Sequence, residues 1–203
     1  MFVHGVVTDE ATEKPLGSNI TITDLTTGNV VANLNSDDVT GEYSSVLTSG
    51  RNYSITAEKE GYLFYSENFN ISDQITNQDI IKDISLSPIA KGKTRLLIFF
   101  DFDKSTLQNE SKPELARLIK FMNDNPNVKI ELHGHTDDSG AEDYNQKLSL
   151  DRANTVKEYL SNNGIQNVRV GTKGFGESKP LVVDTSESAK AKNRRVELII
   201  VSI

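Results

Sequence analysis

The sequence predicts two domains of different class: an all-β sandwich over residues 1–88 and an α+β layer over residues 95–203, joined by a linker at 89–94. Three observations carry this. As far as Pro88, apolar residues alternate with polar ones in short runs, the period of half-buried strands. Beyond Lys93, continuous apolar runs and three- or four-residue spacings take over, the language of covered strands and helices. The charge also steps there: residues 1–92 hold 5 Lys and Arg against 13 Asp and Glu, and residues 93–203 hold 17 against 16. A chain of 203 residues, 36% apolar and 25% charged, has material for two small cores.

In the first half, Ile20-Thr21-Ile22-Thr23, Tyr53-Ser54-Ile55-Thr56-Ala57 and Asn68-Phe69-Asn70-Ile71 read as strands. Turn residues separate them at Lys14-Pro15-Leu16-Gly17, Thr27-Gly28-Asn29, Thr40-Gly41-Glu42 and Ser49-Gly50-Arg51-Asn52. Short strands at this spacing predict an antiparallel sandwich. With His4 as its one histidine and its acidic residues scattered over turns, this half reads as a spacer or contact domain. Gly5-Val6-Val7-Thr8-Asp9, Lys14-Pro15-Leu16, Gly41-Glu42-Tyr43, Gly50-Arg51-Asn52-Tyr53 and Glu60-Gly61-Tyr62 resemble the carboxypeptidase regulatory-like domains, which are transthyretin-like sandwiches. Those domains occur as non-catalytic modules, so the resemblance implies no peptidase activity.

Pro88 and Gly92 mark the linker. Leu96-Leu97-Ile98-Phe99-Phe100 then predicts a strand covered on both faces. Ser111-Lys112-Pro113-Glu114 has the form of a capping box, and Leu115, Leu118, Ile119 and Met122 follow at helical spacing as far as Asn123-Asp124-Asn125-Pro126. Val128 to His133 alternates as a second strand, and Leu150 to Leu160 returns to helical spacing through Ala153 and Val156, with Asn163-Gly164 as its stop. A third strand is expected around Val168 to Gly171, then a loop rich in glycine and proline, then a last strand from Val196 to Val201.

Composition closes several routes. With no cysteine there is no disulfide, thiolate metal site or thiol nucleophile. A pI near 5.0 argues against nucleic acid. No stretch reaches the ~18 to 20 apolar residues of a membrane span. Met1 runs straight into Phe2-Val3-His4-Gly5 without a basic or long apolar leader, so an export signal or anchor is expected upstream.

Between the second strand and second helix lie Gly134-His135-Thr136-Asp137-Asp138-Ser139-Gly140 and Tyr144-Asn145-Gln146-Lys147-Leu148-Ser149-Leu150-Asp151-Arg152-Ala153. Together with Phe99-Phe100-Asp101, Gly174-Phe175-Gly176-Glu177 with Pro180, and Asn193-Arg194-Arg195-Val196-Glu197, they resemble the signature of OmpA-like domains over about Arg95 to Ile203. The resemblance implies non-covalent binding of peptidoglycan through diaminopimelate, whose free end carries an ammonium and a carboxylate on one carbon. It assigns the ammonium to Asp137 and the carboxylate to Arg152, and it places Asp101, Thr136, Asn145 and Leu148 along the groove. Asn193 and Arg195 are expected beside the site or buttressing it. In place of the Arg that many members carry before Asn-Arg-Arg, this chain has Lys190-Ala191-Lys192. A guanidinium fork suits a carboxylate in a way that lysine does not. The chain is therefore expected to act as a periplasmic, outer-membrane-associated tether, with no cofactor, no metal and no catalysed reaction, its first half facing outer-membrane or secretion-machinery proteins.

Other classes fit less well. His133-Gly134-His135-Thr136-Asp137 has the form of a binuclear metallohydrolase start, but position 138 is Asp and the only further histidine is His4. No Gly-x-Ser-x-Gly elbow is present. Asp137 and Asp138, adjacent on an extended chain, point apart and do not flank one glycosidic bond. An interaction scaffold that has lost its ligand is the alternative that stays open.

Overall fold

Alternation in the first half of the chain becomes two sheets with a shared core. The computed structural model describes residues 1–72, 79–100 and 103–203, and the chain divides into two compact units, Met1–Thr94 and Arg95–Ile203. In the first unit β1 (Phe2–Asp9), β2 (Asn19–Asp24), β3 (Val30–Asn35), β4 (Glu42–Val46), β5 (Arg51–Glu58), β6 (Tyr65–Ile71), β7 (Ile80–Ile81) and β8 (Ile84–Leu86) follow one another. One sheet runs β3-β2-β5-β6; the other runs β4-β1-β7, with β8 continuing beside β1 beyond β7. Between β7 and β8 the Asp83 carboxylate accepts the Val6 N–H, so the ladder to β1 is bridged where it is interrupted. Every second residue points inward: Val3 and Val7 from β1, Ile20 and Ile22 from β2, Tyr53, Ile55 and Ala57 from β5, and Ile84 and Leu86 from β8 are buried together.

One turn is built three times in this unit. Asp9, Asp24 and Asp37 each accept, on Oδ1, the backbone N–H groups two and three residues on. Each also accepts, on its carbonyl, the N–H four residues on, at 2.8 Å. Thr12, Thr27 and Thr40 close the turns by accepting from Lys14, Asn29 and Glu42. The fourth residue on has positive φ in all three: 58° at Glu13, 73° at Gly28 and 71° at Gly41. Two turns use glycine there and one does not.

After β9 (Lys93–Leu96), which spans the boundary, the second unit contains α1 (Lys112–Asp124), β10 (Lys129–Gly134), α2 (Glu142–Asn162), β11 (Val170–Gly174), α3 (Glu187–Asn193) and β12 (Val196–Ser202). Its sheet is mixed, in the order β11-β10-β12-β9, with β10 parallel to β11 and antiparallel to β12. The core is formed by Leu115, Leu118 and Met122 of α1, Ile130 and Leu132 of β10, Ala153, Val156 and Leu160 of α2, and Val196 and Leu198 of β12.

Five local expectations change. Leu96 to Phe100 is not a continuous strand: β9 ends at Leu96, and the backbone beyond it bonds to side chains of the α1 entry. Glu114 accepts the Leu97 N–H at 3.0 Å, and the Ser111 hydroxyl takes the Phe99 N–H at 2.8 Å and donates to its carbonyl at 3.0 Å. Ser111 and Glu114 therefore hold a neighbouring segment in place of a capping box, and Ser111 makes no side-chain cap. Residues 167–169 form a short 3-10 turn before β11, from which Arg169 reaches back to the carbonyls of Met122, Asn125 and Val128 at the end of α1. Within the glycine- and proline-rich stretch, Ser186 caps α3 by accepting the Ala189 N–H. Helix α2 starts eight residues before Leu150, at Glu142.

Left-handed backbone costs a non-glycine residue about 1–2 kcal/mol, and the looser unfolded chain returns about 0.4–1 kcal/mol of that when glycine replaces it. Glu13→Gly is therefore expected to stabilise the first unit by about 0.5–1 kcal/mol, read as a higher midpoint in thermal or urea unfolding. The three turn carboxyls lie below the ordinary aspartate value, Asp9 chiefly through the Tyr62 hydroxyl, Asp24 through the Arg51 guanidinium and Asp37 through the Thr40 N–H. A depressed folded-state pKa gives stability that is complete above the unfolded value of 3.8 and lost as pH falls through the folded one. Urea midpoints of this unit should be flat from neutral pH to about 5 and fall steeply below about 4, with Asp37→Asn flattening the descent.

Candidate functional site

The site is built where β10 and β11 end under α2. Gly134 and Gly174 stand opposite each other in the parallel register. A Cβ on Gly134 would come within 2.0 Å of the Ser149 carbonyl, and one on Gly174 within 2.7 Å of the Leu150 amide. Hydrogen at both positions is what lets the helix backbone lie on the strand ends. That contact faces the loop after β10 with the polar side of α2: Asn145, Ser149 and Arg152 are buried at helical spacing, ahead of the apolar Ala153, Val156 and Leu160.

The loop is tied down from three directions. The His135 amide donates to the Arg195 carbonyl and the Thr136 amide to the Gly176 carbonyl, both at 2.9 Å. The Ser149 hydroxyl accepts the Gly176 N–H at 2.9 Å and donates to the Gln146 carbonyl. Asn145 donates to the Ser139 carbonyl at 3.1 Å and to the Glu177 carboxylate at 2.6 Å, with a longer contact to the Asp137 carbonyl at 3.4 Å.

On this frame Asp137 and Arg152 are both buried, at 7% and 6% exposure. Asp137 Oδ1 accepts the Ser139 N–H at 2.9 Å, and Oδ2 pairs with Arg194 Nη1 at 2.5 Å. Burial pushes the Asp137 carboxyl up, but the Arg194 and Ser139 hydrogen bonds outweigh it and hold the group below its ordinary value, so it is ionised at neutral pH. Arg152 Nε donates to the Lys104 carbonyl at 3.1 Å, and its guanidinium lies 5.1 Å from the Phe100 ring centroid. Its two terminal nitrogens bond to nothing among the described residues. Burial, and next the charge of Arg194, lower the pKa of Arg152, while Asp137 and Asp103 act in the opposite direction. Asp137, Arg152 and Arg194 thus share one electrostatic field, to which Asp103 also contributes at Arg152.

The remaining sequence-predicted residues divide. Thr136 is buried, and its hydroxyl has no hydrogen-bond partner among the described residues. Asn145 is buried and engaged as above, and Leu148 is half-buried on α2. Asp101 lies outside the described residues. Asn193 and Arg195 are directed into the scaffold: Asn193 accepts the amides of Leu181 and Val182 and donates to the Val182 carbonyl, and Arg195 reaches Glu197, the Asn193 carbonyl and the Lys179 carbonyl. Both buttress the stretch from Lys179 to Val182. The sequence reading did not single out Arg194. Arg194 and Arg195 lie in the two-residue step between α3 and β12, and their side chains go to different partners, Asp137 and Glu197.

The two histidines do not form a metal cluster. His133 Nε2 meets the Glu131 carboxylate at 2.6 Å, and His135 stacks on Phe175 at 5.4 Å with Glu197 3.7 Å away. Burial lowers the pKa of His135 and favours the neutral ring, against the opposing pull of Glu197. Among the described residues no three His, Asp or Glu side chains converge as metal ligands.

With this geometry in view, residues 99–194 match the family model described as the OmpA family. A peptidoglycan-associated lipoprotein of Buchnera aphidicola is 35% identical over 138 residues, 67% of this chain and 78% of the lipoprotein. An outer membrane porin F of Pseudomonas fluorescens is 40% identical over 112 residues, 55% of this chain and 34% of the porin. The chain therefore spans about a third of that relative's length. The crystal structure of the periplasmic domain of Helicobacter pylori MotB superposes with a TM-score of 0.50 at 22% identity, covering 55% of this chain and 82% of that one, a likeness of fold.

Gly134→Ala forces the Ser149 carbonyl away from the strand end, and overpacking of this kind costs about 1–3 kcal/mol. The variant should show a lower unfolding midpoint for the second unit, together with NMR shift changes concentrated at residues 135–139 and 145–152.

Proposed function

The chain belongs to the OmpA family through its second unit, and from that premise we propose that this unit grips peptidoglycan at the diaminopimelate of the stem peptide, as a tether and without bond chemistry. The observation that carries the reading is Arg152, a guanidinium 6% exposed whose two terminal nitrogens have no partner among the described residues, beside an ionised Asp137. Burying a charge without an opposite partner is costly. A carboxylate reaching those two nitrogens through parallel hydrogen bonds offsets that cost, and an ammonium on the same carbon reaches Asp137. The Thr136 hydroxyl offers a further polar contact in the loop. Charge-assisted contacts contribute about 1.5–3 kcal/mol each, a modest grip that the repeated stems of a wall multiply through effective concentration.

The first unit is read as a carboxypeptidase regulatory-like sandwich that spaces or docks the second against an outer-membrane or secretion-machinery partner. The relatives named for the outer membrane and for peptidoglycan support a location on the periplasmic side of the outer membrane. No helix among the described residues is long and apolar enough to cross a membrane.

Calorimetric titration with a diaminopimelate-containing tripeptide and sedimentation with purified sacculi test this reading. Wild type should bind both. Asp137→Ala and Arg152→Ala should abolish binding, and Arg152→Lys should weaken it about tenfold or more, because lysine loses the second parallel hydrogen bond. Wild type that ignores sacculi, or a double variant that binds them equally well, overturns the assignment.

A further inference from the structure

We propose that Arg194 sets the specificity of this site by standing where the ligand's ammonium must go, so that only a ligand bringing its own carboxylate displaces it at no net loss. The inference rests on the reading of Asp137 and Arg152 as the recognition pair. It starts from a contact that reading did not foresee: the Asp137 oxygen not taken by the Ser139 N–H is taken by Arg194 Nη1 at 2.5 Å.

The two arginines differ in how they are held. Arg152 is fixed by the Lys104 carbonyl and by the ring of Phe100 beneath a buried face. The Arg194 side chain is 41% exposed, it follows the last residue of α3, and its pairing with Asp137 is the one side-chain bond it makes among the described residues. It is free to swing on a long stem once that bond is exchanged. The two guanidiniums also oppose each other, since Arg194 lowers the pKa of Arg152.

The exchange then depends on the charges the ligand brings. A ligand ending in an ammonium alone replaces one cation at Asp137 by another; the guanidinium it expels gains nothing, and Arg152 still has no anion. A ligand with ammonium and carboxylate on one carbon replaces Arg194 at Asp137 and supplies an anion to Arg152, within reach of the displaced Arg194. The internal ion pair is thus a repulsive element against monocations, and it supplies discrimination that attraction alone does not.

The test compares tripeptides L-Ala-γ-D-Glu-X, with X either diaminopimelate or lysine, on wild type, Arg194→Gln and Asp137→Asn, by calorimetry, with the Asp137 carboxyl followed by NMR titration in the absence of peptide. In Arg194→Gln the Asp137 titration should move up, the lysine peptide should bind roughly fivefold tighter, and the preference for diaminopimelate should narrow from the lysine side. Wild type that prefers diaminopimelate while Arg194→Gln leaves lysine affinity unchanged or weaker overturns the role of Arg194 and leaves the recognition reading standing. An unmoved Asp137 titration in Arg194→Gln overturns it as well. Wild type that binds neither peptide, or Asp137→Asn that binds both as well as wild type, overturns the recognition reading and the filter with it.

Discussion

The second unit depends on one close approach, that of the α2 backbone to the ends of β10 and β11. Gly134 and Gly174 sit side by side in register, and a Cβ on either would collide with the Ser149–Leu150 stretch. Bringing a helix this near a sheet serves packing poorly, since two glycines bury little apolar surface. What it achieves is placement. Arg152 is one turn beyond Ser149, Asn145 one turn before, and the loop from His135 to Ser139 leaves β10 directly beneath them. The glycines of Gly134-His135-Thr136-Asp137 and Gly174-Phe175-Gly176 thus position charged groups that lie several residues away in sequence.

This placement also explains which parts of the fold were legible in the sequence and which were not. The first unit was readable because its inward side chains obey a strict period of two, from Val3 and Val7 to Tyr53, Ile55 and Ala57. Helix α2 was readable only from Leu150 onward. Its first two turns are buried through Asn145 and Ser149, so a search for apolar spacing finds nothing there. A helix face buried through polar side chains escapes hydrophobic periodicity. Leu97 to Phe100 misled for the opposite reason. Its apolar run reads as a strand, yet its backbone bonds to Ser111 and Glu114, side chains that a capping box would have used locally.

Among the arginines, sequence comparison could point to the Asn193-Arg194-Arg195 block without saying which member faces the site. The structure separates them by their partners in the step from α3 to β12. Arg195, with Asn193, ties Lys179 to Val182 and the strand Glu197 into the scaffold, while Arg194 turns to Asp137. Sequence names residue types; only packing decides which of two adjacent identical side chains turns into the framework and which faces Asp137. The Gly28 and Glu13 turns make the same point for the first unit, because identical hydrogen bonding there is met by different residues at the same left-handed position.

These charges raise a question of energetics. A buried guanidinium with two unused nitrogens is destabilising, by several kcal/mol when no anion is near. Asp137 and Asp103 act on it, but the second oxygen of Asp137 is held by Arg194, and neither carboxylate bonds to the Arg152 terminal nitrogens among the described residues. The surroundings are braced by Asn145, Asn193 and Arg195, each of which makes three polar contacts to the chain. A carboxylate arriving at Arg152 then removes a penalty that folding has already accepted, whereas at an exposed arginine it would first have to strip away water. On the proposed reading, leaving those nitrogens to the ligand is what converts a few hydrogen bonds into recognition, and it restricts that gain to ligands that bring both signs of charge.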